Sequence, residues 1–132
     1  MNFVTVDDFE YFSDLIIRYV SEGVSGMTDS VDFEKFTSAE DFLEFLEENP
    51  DYQVDILFCD VEMGGMSGLD LARKIRDHYQ IGSRIKKMVF VTSYRRLNIE
   101  YDGQIRGKIS KPFERSEIVN TAIDLMEEIN AE

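Results

Sequence analysis

Ile56-Leu57-Phe58-Cys59-Asp60-Val61-Glu62-Met63-Gly64-Gly65-Met66-Ser67-Gly68 runs four apolar residues into a carboxylate and then into a glycine-rich loop. The run is short and ends in turn residues, which is the pattern of a buried strand. Burying a lone charge is costly, so a carboxylate kept at the end of such a strand normally has a use. Asp7 and Asp8 follow a second apolar run, Phe3–Val6, in the same way.

Further strand patterns lie at Val31–Phe36, Met88–Val91 and Arg106–Ser110, the last carried mainly by Ile109. Helical spacing fills the intervals. One stripe holds Phe12, Leu15, Ile16, Tyr19 and Val20; a second, capped by Ser38, holds Phe42, Leu43, Phe45 and Leu46. A third holds Leu71, Ala72, Ile75 and Tyr79, and the last Ile118, Ala122, Leu125 and Ile129. Pro112 and Ser116 mark the start of that last helix, with Glu114 and Glu117 favourable near its N-terminus. A short, poorly patterned helix is expected within Tyr94–Gly103. Strands alternating with helices predict an α/β fold with a doubly wound parallel sheet covered on both faces.

The 132 residues suit one domain, 1–132, standing alone or opening a longer protein. The net charge of −13 argues against nucleic acid or an anionic membrane as a direct partner. Cys59 is the only cysteine, so neither a disulfide framework nor a zinc spacing is present, and it reads as core. Alternation along the strand turns it away from the Asp60 side. The first residues lack a signal-peptide pattern and no run approaches a membrane span. A soluble, cytoplasmic protein is the expectation.

Sites in open parallel sheets form outside the carboxyl ends of the strands. Those ends carry Asp7-Asp8, Asp60, Thr92-Ser93 and Lys111-Pro112. Two carboxylates about 5 Å apart repel by roughly 3 kcal/mol at an effective dielectric near 20. Three together call for a cation or a raised pKa. Mg²⁺ suits the set, because it takes few protein carboxylates and leaves room for phosphate oxygens. Lys111 can pair with Asp60, and Thr92 can donate to an anion formed there. A carboxylate nucleophile with a metal, an amine and a hydroxyl is a phosphoryl-transfer constellation.

Val6-Asp7-Asp8, Phe58-Cys59-Asp60-Val61-Glu62-Met63 with Gly68, Val91-Thr92-Ser93 and Lys111-Pro112-Phe113 together resemble the receiver domains of two-component response regulators. The resemblance covers nearly the whole chain. It implies a CheY-like, flavodoxin-like sheet of order 2-1-3-4-5 and a phosphorylation-dependent signalling switch rather than a turnover enzyme. Asp60 would accept phosphate from a sensor histidine kinase. Asp7, Asp8, Asp60 and the backbone carbonyl of Glu62 would hold Mg²⁺, and Thr92 and Lys111 would take the switch and phosphate-pairing roles. A cis Lys111–Pro112 bond is implied as well. The stretch Asp60–Arg76 is most similar to regulators that carry a LytTR-type DNA-binding domain, which this chain lacks.

Two positions depart from the family pattern. Gly64 replaces the usual proline, and Lys108 stands where an aromatic normally swings inward. Tyr94 or Tyr101 is the expected substitute for that aromatic. Residues 84–115 hold nine of the fourteen Lys and Arg, against Glu100, Asp102 and Glu114 as acids. The plain reading is a solvated face. The functional one is a basic fourth-helix and fifth-strand edge meeting the acidic fifth helix of a second copy. Two rival functions stay open: a pseudo-receiver that binds partners without phosphorylation, and a Mg²⁺-dependent phosphohydrolase with an Asp nucleophile. A flavodoxin-like FMN carrier is weaker, since Asp7-Asp8 would repel its phosphate. His78, near a helix end, reads as a dipole partner and not a catalyst.

Overall fold

The computed structural model describes all residues, Met1–Glu132. Five strands form it: β1 Asn2–Val6, β2 Asp32–Phe36, β3 Val54–Cys59, β4 Ile85–Thr92 and β5 Ile105–Ser110. The helices are α1 Glu10–Gly23, α2 Ala39–Glu48, α3 Gly68–Asp77, the single turn α4 Tyr79–Gly82 and α5 Arg115–Ala131. All strand pairs are parallel and the order is β2-β1-β3-β4-β5. This is the flavodoxin-like, CheY-like architecture that the alternating pattern predicts.

Alternation along β3 divides the core in two. Ile56 and Phe58 pack with Phe3, Val89, Val91 and the apolar stripes of α1 and α5. Leu57 and Cys59 pack with Val4, Phe90 and the stripes of α2 and α3. Both faces of the central strands are therefore buried, which is why they read as continuous apolar runs. Ser38 caps α2 by accepting the Asp41 N–H. Ser67 and Asp70 form a capping box that starts α3 directly after the glycine-rich loop.

Two expectations about the helices are corrected. The helix α3 ends at Asp77, so Tyr79 is not in its stripe and lies 84% exposed. The chain doubles back there, and Gly82 packs so closely on the Ile75 carbonyl that a Cβ would not fit. The helix α5 starts at Arg115, beside the Pro112 and Ser116 signals, and Glu114 caps it in a reciprocal box with Glu117.

The largest correction concerns Tyr94–Gly103, which contains no helix. Its apolar residues fall two apart, at Leu97 and Ile99, which suits an extended chain and not a helical face. Both lie against the α2/α3-side core where a crossover helix would have packed. Without a helix, the segment's carbonyls need other donors. Lys108 Nζ donates to the carbonyls of Tyr94 and Arg95, Arg76 to Glu100 (2.7 Å), and Lys87 to Gly103 (2.9 Å). Much of the basic charge of residues 84–115 is thus spent inside the chain. Arg84 holds the carbonyls of Leu46, Asn49 and Tyr52, and Arg106 makes a two-pronged pair with Glu128. Tyr94 and Tyr101 are both nearly half exposed, so neither fills the place of an inward aromatic in this structure. No helix is long and apolar enough to cross a membrane.

Candidate functional site

Register places the site. The pairing Val6↔Cys59 ends β1 and β3 level with one another, and the Asp60 N–H donates to the Val6 carbonyl at 2.9 Å. Asp7 and Asp60 therefore leave the sheet side by side. On the other flank Thr92 pairs with Ser110, and the Lys111 N–H donates to the Thr92 carbonyl at 2.9 Å. The Lys111–Pro112 bond is cis.

Asp7 and Asp60 are buried, Asp8 is exposed, and one carboxylate oxygen from each lies within 4.8 Å of the others. Asp7 does not cap α1; its Oδ1 accepts the Phe9 N–H in a tight turn. Asp60 Oδ1 accepts its neighbour's N–H, from Val61, at 2.8 Å. Lys111 Nζ sits 2.7 Å from Asp7 Oδ2 and 3.3 Å from Asp60 Oδ2, closer to the first acid than the sequence alone implied. Burial, then repulsion from Asp7, pushes the Asp60 carboxyl up, against the pull of Lys111. The three oxygens are hard donors converging on one point, and the Glu62 carbonyl accepts no protein hydrogen bond. That set fits Mg²⁺.

Three contributors escaped the sequence, and a fourth, Tyr94, takes a place other than the one expected of it. The ring of Phe12, read as core, lies 4.1 Å beneath Lys111 Nζ and fixes the ammonium over the acids. Glu40, at the start of α2, accepts the Met66 N–H and so holds the loop that follows Asp60; that bond keeps its carboxyl below the usual range. Gly65 in that loop has φ +83°, and a Cβ there would strike Glu40. Tyr94 turns its phenol to the Glu62 carboxylate, which raises the phenol pKa, and its N–H is held by Thr92 Oγ1. Phe12, Glu40 and Gly65 had no sequence signal for these roles, since each depends on a contact across the fold. Cys59 is buried on the α2/α3 side, where its thiol donates to the Asp60 backbone carbonyl at 3.1 Å and is pushed up by burial.

Gly68 has a local reason to be glycine: a Cβ would overlap the carbonyl of Asp60. Gly68→Ala is expected to cost about 1–3 kcal/mol, as overpacking does, and to shift Asp60. Thermal melting with and without Mg²⁺ checks both, and an unchanged melt would show that the loop gives way freely.

A model of the response regulator receiver domain matches residues 4–123. The chain belongs to this family. Receivers are signalling domains of two-component systems, not turnover enzymes, and they bind Mg²⁺ at an acidic pocket like this one. The heme response regulator HssR of Staphylococcus epidermidis is 30% identical over 122 residues, 90% of this chain and 48% of that protein. The chain thus spans about half the length of the curated relatives it matches. A receiver domain protein (CheY-like) from Methanospirillum hungatei superposes with a TM-score of 0.73 at 18% identity, covering 99% of this chain and 98% of that one. A putative response regulator from Chloroflexus aurantiacus gives 0.72 at 20% identity, covering 96% and 97%.

Proposed function

We propose that this receiver is a phosphorylation-dependent switch with Asp60 as phosphoacceptor. The observation that carries the reading is the contact of Lys111 with both Asp7 and Asp60, at 2.7 and 3.3 Å, beside the exposed Asp8. An Asp60 oxygen attacks the phosphorus of a phosphohistidine or a small phosphodonor, and the donor's bond to phosphorus breaks. Lys111 is placed to neutralise charge on the transferred oxygens, and the Thr92 hydroxyl to donate to one of them. Asp7, Asp8, Asp60 and the Glu62 carbonyl would hold Mg²⁺, which screens the acids and orients the phosphoryl group. A sensor histidine kinase is the natural donor.

The likeness of Asp60–Arg76 to LytTR-associated regulators points to a DNA-binding output outside this chain. Self-association remains part of the reading, through the segment between β4 and β5, β5 itself and α5, since no helix stands between β4 and β5. Arg95 and Arg96 are exposed there, as are Asp124 and Glu127 on α5. Such a contact is expected to weaken with salt, and sedimentation at low and high salt reads it. A monomer at low salt, with or without a phosphoryl mimic, sinks it.

Incubation with acetyl phosphate and Mg²⁺, followed by intact mass, tests the switch. One phosphoryl group on the wild type and none on Asp60→Asn is the expected result. No adduct on either protein would favour the pseudo-receiver. Rapid turnover of unrelated phosphomonoesters would favour the hydrolase.

A further inference from the structure

Lys108 stands on β5 opposite Phe90, on the sheet face covered by the non-helical segment. Its ammonium donates to two consecutive carbonyls, Tyr94 and Arg95, with 2.6 Å to the first. Charge-assisted bonds of this kind are roughly twice as strong as neutral ones. Tyr94 is therefore gripped at both ends of its backbone. Thr92 Oγ1 accepts its N–H at 3.2 Å, and Lys108 takes its carbonyl. The Tyr94 phenol lies beside the Glu62 carboxylate. Tyr94 and Glu62, with Val61, Met63, Leu69 and Leu97, line an open cavity of about 390 Å³. It adjoins Asp60, which precedes Val61. Residues 93–96 are exposed and belong to no helix.

We propose that Lys108 is a positioning residue that fixes Tyr94 as a screen on this flank of Asp60. The inference rests on the switch reading above and concerns how long the phosphoryl group lasts. A water reaching a phosphorylated Asp60 from the cavity has to pass the Tyr94 ring. Releasing the Tyr94 and Arg95 carbonyls frees the segment and opens that path. The ammonium, not the bulk of the side chain, is the operative part. Lys108→Met keeps the stem and removes the donors, whereas Lys108→Arg keeps donors within reach of the same carbonyls.

Two measurements on the whole chain test this. The first is amide hydrogen exchange of Tyr94, whose N–H is accepted by Thr92 Oγ1, in the unphosphorylated protein, with β1 and β3 as folding controls. At least roughly tenfold faster exchange is expected in Lys108→Met, which loses both charged hydrogen bonds, with wild-type rates in Lys108→Arg. Unchanged exchange in Lys108→Met overturns the clamp. The second is loss of the phosphoryl group after the donor is removed. Several-fold faster loss is expected in Lys108→Met and in Tyr94→Ala, with the double variant no faster than either single one. Equal lifetimes in wild type and Lys108→Met overturn the screen. A wild type that never takes a phosphoryl group overturns the switch reading instead, and the exchange measurement still judges the clamp.

Discussion

Lys111→Met is expected to lose about 3–5 kcal/mol of stability at neutral pH without Mg²⁺, the usual result of removing one partner from a buried ion pair. Lys111 is only 11% exposed at its side chain, and it is the cation that touches both buried acids. Its loss leaves Asp7 and Asp60 facing each other in a poorly solvated cleft. A domain of this size would melt roughly 10–20 °C lower. The deficit has a definite pH dependence. The Asp60 carboxyl is already held above its ordinary value of 3.8, and Lys111 is what pulls it down. In the variant it rises further. Between the unfolded and folded values the native state then binds more protons than the unfolded chain, so stability falls as pH rises. The gap from wild type should be widest at neutral pH and close toward pH ~4. Mg²⁺ should narrow it at neutral pH by replacing the lost positive charge. Chemical denaturation across pH measures all of this. A loss below about 1 kcal/mol, flat with pH, would mean that the cleft is screened by solvent like an ordinary surface pair.

Asp60→Asn is expected to separate chemistry from stability. The phosphoryl adduct disappears altogether, because an amide oxygen is no nucleophile at this site. Yet the Mg²⁺-free protein should become more stable at neutral pH. Asp60 repels Asp7, and such a pair costs on the order of 3 kcal/mol at close range. Part of this is offset by the Lys111 contact that the asparagine gives up, so a net gain on the order of 1 kcal/mol is expected. The sign follows from the raised carboxyl: ionised Asp60 is a burden above its folded pKa, and the benefit of the variant fades as pH falls toward 3.8. Mg²⁺ reverses the ranking. A cation at about a hundred times its Kd adds about 2.7 kcal/mol to a protein that binds it only when folded. The wild type gains that in full and the variant less, having lost one ligand. Melting curves over a Mg²⁺ titration should therefore cross. Parallel curves would show that Asp60 is not part of the cation site, and a variant less stable than wild type without Mg²⁺ would show that the Lys111 contact outweighs the repulsion from Asp7.

The fold and the acidic rim were legible because both depend on short-range pattern. Two-residue alternation, helical stripes and strand-end polar residues are written in the chain itself. Strand starts moved outward by two residues at β3 and three at β4, where Val54 and Ile85 extend the pairing beyond the densest apolar runs. The segment 94–103 was misread because its place in the βα series outweighed its own pattern. Leu97 and Ile99 alternate, and Asn98 and Asp102-Gly103 are poor helix residues. The readout follows from that error. The lysine at 108 looked like a missing aromatic, while in the fold it is the donor that an unhelical segment needs.

The sequence by itself determined the layered parallel sheet, the burial of the strands on both faces, and the arrival of Asp7, Asp8, Asp60, Thr92 and Lys111 at one rim. Periodicity and parallel register suffice for that, since every strand in such a sheet ends on the same side. Tertiary structure alone decided which acid Lys111 meets most closely, what lies beneath it, and where the Lys108 ammonium goes. Those contacts join residues dozens of positions apart, and their geometry depends on how loops close over the sheet. No local pattern records a distance of that kind.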